Sequence, residues 1–230
     1  MRETLERGLP ELQIDLSVIP PLTAFAEMVL ERNRVMNLTA ITEPKEVAAL
    51  HLLDSLSLIR YAGLEGAVVD VGCGAGFPGV PVAIAQPDCR VTLLDSLGKR
   101  VDFLREAGGK LGLRNMEYVH ARAEEFASSR REEFDAAVSR AVAALPVLCE
   151  LCLPLVRPGG RMLAMKSSHS EEEIRGAEHA AELLGGRIAW VKDYLVPTTQ
   201  IMHRIVCIEK VRPCPEKYPR RFAVIKKTPL

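Results

Sequence analysis

From residue 67 onward, short apolar runs alternate with stretches of helical periodicity, and this alternation restricts the fold more than any other feature of the chain. "AVVDV" (67–71), "RVTLLDS" (90–96), "MEYVHA" (116–121), "FDAAVSRA" (134–141) and "RMLAMKS" (161–167) read as buried strands. Between them "VPVAIAQ" (80–86), "GKRVDFLREAGGKLGL" (98–113) and "ALPVLCELCLPLV" (144–156) read as helices, the last stopped by "RPGG", while "RAEEF" (122–126) reads as a loop. Strands spaced by helices through short connections build a parallel, doubly wound α/β sheet. A polar helix (170–186) then leads to "RIAWVKDYLV" (187–196) and "HRIVCIEKV" (203–211), joined by only six residues. A parallel pair needs a crossover of about a dozen residues or more, so these two strands must form an antiparallel hairpin.

Residues 1–65 read as helical. "PLTAFAEMVLERNRVM" (21–36) and "PKEVAALHLLDSLSLIRYA" (44–62) both open on proline, which the first turn of a helix tolerates. The chain thus divides into a helical extension packed on the catalytic domain (1–65), a sheet domain (66–211) and a basic tail (212–230). With 230 residues, 48% of them apolar, a sizeable core is available. Net charge is zero, yet Glu209–Leu230 carries seven basic residues against two acidic ones. Such a tail is either a solvated end or a contact for phosphates.

No apolar run approaches the roughly 20 residues that span a bilayer. The opening "MRETLERGLPELQIDL" has no apolar signal-peptide core. A cytoplasmic protein without membrane contact is expected, with its six cysteines reduced. Cys149 and Cys152 form a CxxC inside an apolar helix and lack a second ligand pair, so they are expected in the core. The five histidines are dispersed, and no metal is expected.

"VVDVGCGAGFPG" (68–79) follows the first strand directly. In a doubly wound sheet, ligands bind outside the carboxyl ends of the strands, and glycines there let the backbone turn tightly and approach closely. Gly72, Gly74 and Gly76 supply that loop, and "GAGFPG" also fits the dinucleotide fingerprint. No lysine follows the glycines as a P-loop requires, and Pro78 and Pro81 lack the N–H donors that a pyrophosphate would use. The Asp70 carboxylate suits the ammonium of a methionine moiety. Asp95, ending the second strand, can accept from both ribose hydroxyls, and Ala123 and Glu124 fall where an adenine edge would lie. This favours S-adenosylmethionine and leaves NAD as the alternative.

A mostly parallel seven-stranded sheet ending in such a hairpin resembles the Rossmann-like class I S-adenosylmethionine-dependent methyltransferase fold. Over almost its whole length the chain resembles the ribosomal RNA small subunit methyltransferase G family. The carrying stretches are "NRVMNLTAI" (33–41), "HLLDSL" (51–56), "DVGCGAGFPGVP" (70–81), "LLDSLGKRVDFL" (93–104), "ARAEEF" (121–126), "AVSRAVA" (137–143) and "LAMK" (163–166). The resemblance implies methyl transfer from S-adenosylmethionine, leaving S-adenosylhomocysteine, to N7 of the guanine at position 527 in 16S rRNA of the small ribosomal subunit. It implies a pocket lined by Gly72, Phe77, Ala123, Glu124 and Arg140, with no metal. Arg140 and Lys166, each at a strand end, are expected as the catalytic pair, holding phosphate or the guanine Hoogsteen edge. Family members carry glycine after that lysine, whereas Ser167 stands here.

His51 with Asp54 is expected either as a hydrogen-bonding node near the cofactor entrance or as an anchor of the helical extension. Six phenylalanines, four tyrosines and one tryptophan leave no visible stacking platform, so RNA recognition would lean on charge: Arg32, Arg34, Lys99, Arg100, Arg122 and the tail. A monomer is expected. The alternatives are a methyltransferase acting on another RNA or a small molecule, an NAD-dependent oxidoreductase, and a non-enzymatic RNA-binding factor.

Overall fold

The computed structural model describes residues 1–230. Helices α1 (Arg2–Glu11) and α2 (Ile19–Met36) come first. A third helical stretch begins as a single turn, α3 (Pro44–Glu46), widens into a π-helix over Val47–Leu53, and ends as α4 (Asp54–Ala62). The strands β1 (Ala67–Val71), β2 (Arg90–Asp95), β3 (Met116–His120), β4 (Phe134–Arg140) and β5 (Val156–Ser167) follow. They alternate with α5 (Gly79–Ala85), α6 (Gly98–Leu111), α7 (Ala123–Ser129) and α8 (Leu145–Cys152). Then come α9 (Glu171–Leu183), β6 (Gly186–Leu195), β7 (Met202–Lys210) and a last short helix, α10 (Phe222–Lys227).

The seven strands lie in the order β3-β2-β1-β4-β5-β7-β6. β1 to β5 pair in parallel, and β7 runs antiparallel to both neighbours, as its short connection to β6 demands. Side chains alternate across the sheet. Val68 and Leu93 join a cluster of 37 buried residues on one face, while Val69, Val71 and Leu94 join one of 27 on the other. Leu5, Leu9, Leu22 and Phe25 of α1 and α2 belong to the first cluster, so the helical extension shares its core with the sheet.

Two expected boundaries shift. "RAEEF" is not a loop: Ala123–Ser129 form α7, seven residues, too short to show a helical period in sequence, with Glu124 and Glu125 in the first turn where the helix dipole favours them. "RPGG" is absorbed into the start of β5, which begins at Val156. As expected from the reading of 98–113 as one helix, α6 runs unbroken through Gly108 and Gly109. A Cβ on Gly108 would fall 1.8 Å from the Tyr118 hydroxyl, so glycine there lets β3 and α6 approach closely.

All six cysteines are free and buried. Burial pushes the Cys149 thiol up to about 12 and Cys152 well above its ordinary range, which makes both inert packing groups.

Candidate active site

Strand order reverses between β1 and β4, and a cleft of about 450 Å³ opens there, at the carboxyl ends of β1, β2 and β4. The Leu94 carbonyl accepts N–H bonds from Gly72 (2.8 Å) and Cys73 (3.1 Å), tying the glycine loop to the end of β2. Asp95 tightens that tie: one carboxylate oxygen accepts from Gly74 N–H and the other from Leu97 N–H, each at 2.9 Å. Arg100 lies 3.5 Å from the same carboxylate. Gly72 has φ +74°, and a Cβ there would meet Val142 Cγ2 at 2.6 Å. Only glycine therefore allows the loop after β4 to close over this position. In that loop Ala141 holds φ +56°, a left-handed backbone that costs a non-glycine residue about 1–2 kcal/mol.

Gly72, Gly74, Phe77, Asp95, Ala123, Glu124 and Arg140 all line the cleft, as expected. Asp70, Gly76 and Lys166 do not. Asp70 is fully buried beneath the loop, where one oxygen accepts from Gly79 N–H at 2.8 Å and the other has no partner. Burial raises this carboxyl to about 7. It supports the loop and the start of α5 from beneath the cleft. Gly76 packs against Leu104, Val80 and Phe25.

Lys166 donates to the Ala143 carbonyl (2.7 Å) and to Glu173 (2.5 Å), and Glu173 also accepts from Leu145 N–H. Its ammonium thus ties down the loop leading from β4 into α8.

The wall opposite the loop comes from the helical extension. Asn33 organises it: its side-chain oxygen accepts from Leu38 and Thr39 N–H, and its amide donates to the Thr39 carbonyl. Thr39 Oγ1 then lies 2.7 Å from His51 Nε2. On the other side of the ring, Arg140 approaches His51 Nδ1 at 3.0 Å. An arginine can only donate, so Nδ1 is the acceptor and Nε2 carries the proton. Burial, with the Arg140 charge, lowers His51 to about 4, so the ring is neutral at pH 7.

Arg140 also donates to the Leu50 carbonyl (2.8 Å), within the π-helical stretch, and to Asp54 (3.1 Å). Asp54 is 1% exposed and accepts from the Tyr194 hydroxyl (2.7 Å), with His203 Nδ1 2.9 Å away. Burial alone would raise this carboxyl. The His203 hydrogen bond and the Arg140 charge hold it below its ordinary value. Phe77 completes the cluster, its ring stacked 4.6 Å from His51 and lying 5.4 Å beneath the Arg140 guanidinium. Both expectations for His51 therefore hold together: it lines the cleft and it ties the extension to the sheet.

Among the cations expected to meet RNA, Arg100 and Arg122 line the cleft and Lys99 and Arg34 are exposed, whereas Arg32 pairs with Glu106 at 2.5 Å. The tail folds back onto the sheet domain. Arg220 grips the fully buried Glu150 through both carboxylate oxygens, at 2.8 and 2.6 Å. Arg131 donates to the carbonyls of Cys214, Pro215 and Tyr218. Lys217, Arg221, Lys226 and Lys227 stay exposed.

Sequence reasoning missed several cleft residues, four of which show why. Leu38 and Thr39 come from the loop ahead of α3, Val142 from the turn after β4, and Phe222 from the tail. None carries a local pattern that marks a ligand. The signal available was membership of the family-like segments: "NRVMNLTAI" contains Leu38 and Thr39, and "AVSRAVA" contains Val142, whereas Phe222 lies in none.

A seven-stranded sheet of this order with one reversed strand, and a glycine-loop cleft at its switch point, define the class I S-adenosylmethionine-dependent methyltransferase fold. Solved structures agree at the level of fold. The crystal structure of M. jannaschii TYW2 in complex with AdoMet matches with a TM-score of 0.52 at 15% identity, over 63% of this chain and 69% of that one. The antibiotic-resistance methyltransferase Kmr matches with a TM-score of 0.51 at 21% identity, over 65% and 89%.

Sequence comparison is more specific. The family model described as "rRNA small subunit methyltransferase G" matches residues 19–202. Ribosomal RNA small subunit methyltransferase G of Alkaliphilus metalliredigens is 44% identical over 98% of this chain and 97% of its own length. The protein of the same name from Thermoanaerobacter sp. is 42% identical over 99% and 98%. The chain belongs to the rRNA small subunit methyltransferase G family.

Proposed function

We propose that this protein transfers a methyl group from S-adenosylmethionine to N7 of a guanine in 16S rRNA of the small ribosomal subunit. The observation that carries the reading is a switch-point cleft built from the family's own segments, in a chain matched over nearly its full length by relatives of that name. The donor set fits the cofactor. The Asp95 carboxylate at the end of β2 suits a ribose diol, the backbone of Gly72 to Gly74 gives a wall that side chains would block, and Ala123 and Glu124 line the cleft where they would meet an adenine edge. When bound, S-adenosylmethionine supplies an electrophilic methyl group on a sulfonium centre.

Guanine N7 has an in-plane lone pair and no proton, so the chain must align and desolvate the base without deprotonating it. Alignment of this kind is worth roughly 7–11 kcal/mol. Arg140 sits at the cleft with its guanidinium held by three partners, where it can meet guanine O6 or an adjacent phosphate. Lys166 acts one step back, keeping the loop that carries Ala141 and Val142 in place over Gly72. Exposed Lys99, Arg34 and the tail cations supply phosphate contacts, and a small-subunit particle is the expected partner.

The test is incubation with methyl-labelled S-adenosylmethionine and either small subunits lacking the modification or naked 16S rRNA, followed by nucleoside analysis. Label in 7-methylguanosine at one site supports the reading. Absence of label from both RNAs, with cofactor binding measured separately, overturns it.

A further inference from the structure

The match to the family model ends at residue 202, yet the cleft is finished by a residue twenty positions further on. Phe222 lines the same cavity as Ala123 and Glu124, and the Arg122 guanidinium lies 5.9 Å from the centre of its ring. We propose that Phe222, delivered by the segment after β7, forms one face of the slot that takes the adenine ring, making the C-terminal segment part of the cofactor site.

Three observations support this. First, the segment is built in. Tyr218 and Ile225, on either side of Phe222, are buried in the core cluster of the α8 face, and Phe222 packs against that cluster. Second, its anchors are strong for a chain end. The Arg220–Glu150 pair is bidentate with a fully buried carboxylate, and Cys214 N–H donates to Glu132 at 2.6 Å. Phe222 follows Arg220 by two residues, so its position is fixed by that pair. Third, the chemistry is complementary. The turn entering α7 offers backbone and carboxylate groups to the polar edge of a purine, but an adenine also has two apolar faces to bury. Leu94, Leu151 and Phe222 are large apolar side chains that line the cleft; the first two belong to the buried cluster on which Ala121, Ala123 and Phe222 pack, and Phe222 is the aromatic one among them. An aromatic ring suits a nucleobase face better than an aliphatic one, because stacking adds to burial.

The inference rests on the S-adenosylmethionine reading of the cleft, and one experiment separates the two. S-adenosylhomocysteine would be titrated calorimetrically into the full-length protein, Phe222→Leu and Phe222→Trp, with unfolding midpoints measured without ligand. The leucine variant keeps apolar bulk but loses the π face. It should bind about tenfold more weakly at an unchanged midpoint, and the tryptophan variant should bind as the parent does. In a Trp190→Phe background, tryptophan at 222 should also change its fluorescence as S-adenosylhomocysteine binds. Equal affinity of the leucine variant, or a fluorescence that ignores the ligand, overturns the role of Phe222 alone. Should the leucine variant fail to fold, the fluorescence decides. Failure of the parent protein to bind would overturn the cofactor reading, and this inference with it.

Discussion

Asp54, 1% exposed, stays ionised because Arg140, Tyr194 and His203 surround it. Removing the arginine would leave a buried carboxylate short of its only fixed cation, a loss on the order of 3 kcal/mol, softened by the two partners that remain. Arg140→Ala should therefore lower both the unfolding midpoint and methyl transfer. Arg140→Lys should recover stability only in part, since a single ammonium cannot reach the Leu50 carbonyl, Asp54 and His51 in a planar fork. Urea unfolding of the two variants beside a labelled-methyl assay checks this, and full recovery by lysine would contradict it.

Two buried groups in the same region give opposite pH dependences. His51 titrates near 6.5 when unfolded and at about 4 when folded, so between those values the unfolded chain binds a proton that the native state refuses. Its contribution is intact above about pH 6.5 and is lost as pH falls toward 4. Asp70 is raised from 3.8 to about 7, so in that window the native state holds the extra proton and stability falls as pH rises. His51→Gln should flatten the acid-side loss, and Asp70→Asn should gain on the parent protein as pH climbs from 5 to 8. Denaturant unfolding at four pH values separates the two, and parallel curves for either variant would refute its assignment.

Among the elements, the C-terminal segment shows best how a formal charge can mislead. Its sequence reads as a basic tail, yet Arg220 is spent on Glu150 of α8 and Arg212 on the Glu182 carbonyl. Arg220→Ala would strand a fully buried carboxylate, at a cost on the order of 3 kcal/mol. The segment should then come loose, cutting rapidly with trypsin at Arg221, Lys226 and Lys227 while the rest of the chain resists. A digestion pattern unchanged from the parent protein would contradict this. The π-helical stretch between α3 and α4 is a second such case. Its apolar spacing was legible as helix, but the widened turn that presents the Leu50 carbonyl and His51 to Arg140 left no mark in the residue pattern.

For the molecule as a whole, the question is whether the helical extension is a separate unit. Leu5, Leu9, Leu22 and Phe25 are each fully buried in the 37-residue cluster that also contains Val68, Leu93 and Leu163 of the sheet. Each such side chain contributes roughly 1.5–3 kcal/mol by burial, so together they match a large part of a typical domain's 5–15 kcal/mol. Deleting residues 1–36 should abolish cooperative unfolding. A truncated chain that melts sharply in calorimetry would show the sheet domain to be independent.

The alternation of period-2 runs and helices from residue 67, and a connection too short for a crossover, were enough to write the sheet and its reversed strand from residues alone, because both follow from local periodicity and chain reach. The glycine loop, Asp95 and the pair Ala123 and Glu124 were legible for the same reason: each sits at a strand end whose place in the sheet is set by order along the chain. Distance in sequence hid the rest. Arg140 meets His51 and Asp54 across nearly ninety residues, Lys166 is engaged by Glu173 away from the cleft, and Phe222 stands two residues beyond the Arg220 that pairs with Glu150. Those choices depend on which buried charges and donors find each other once two layers close on the sheet, and no local pattern carries that information.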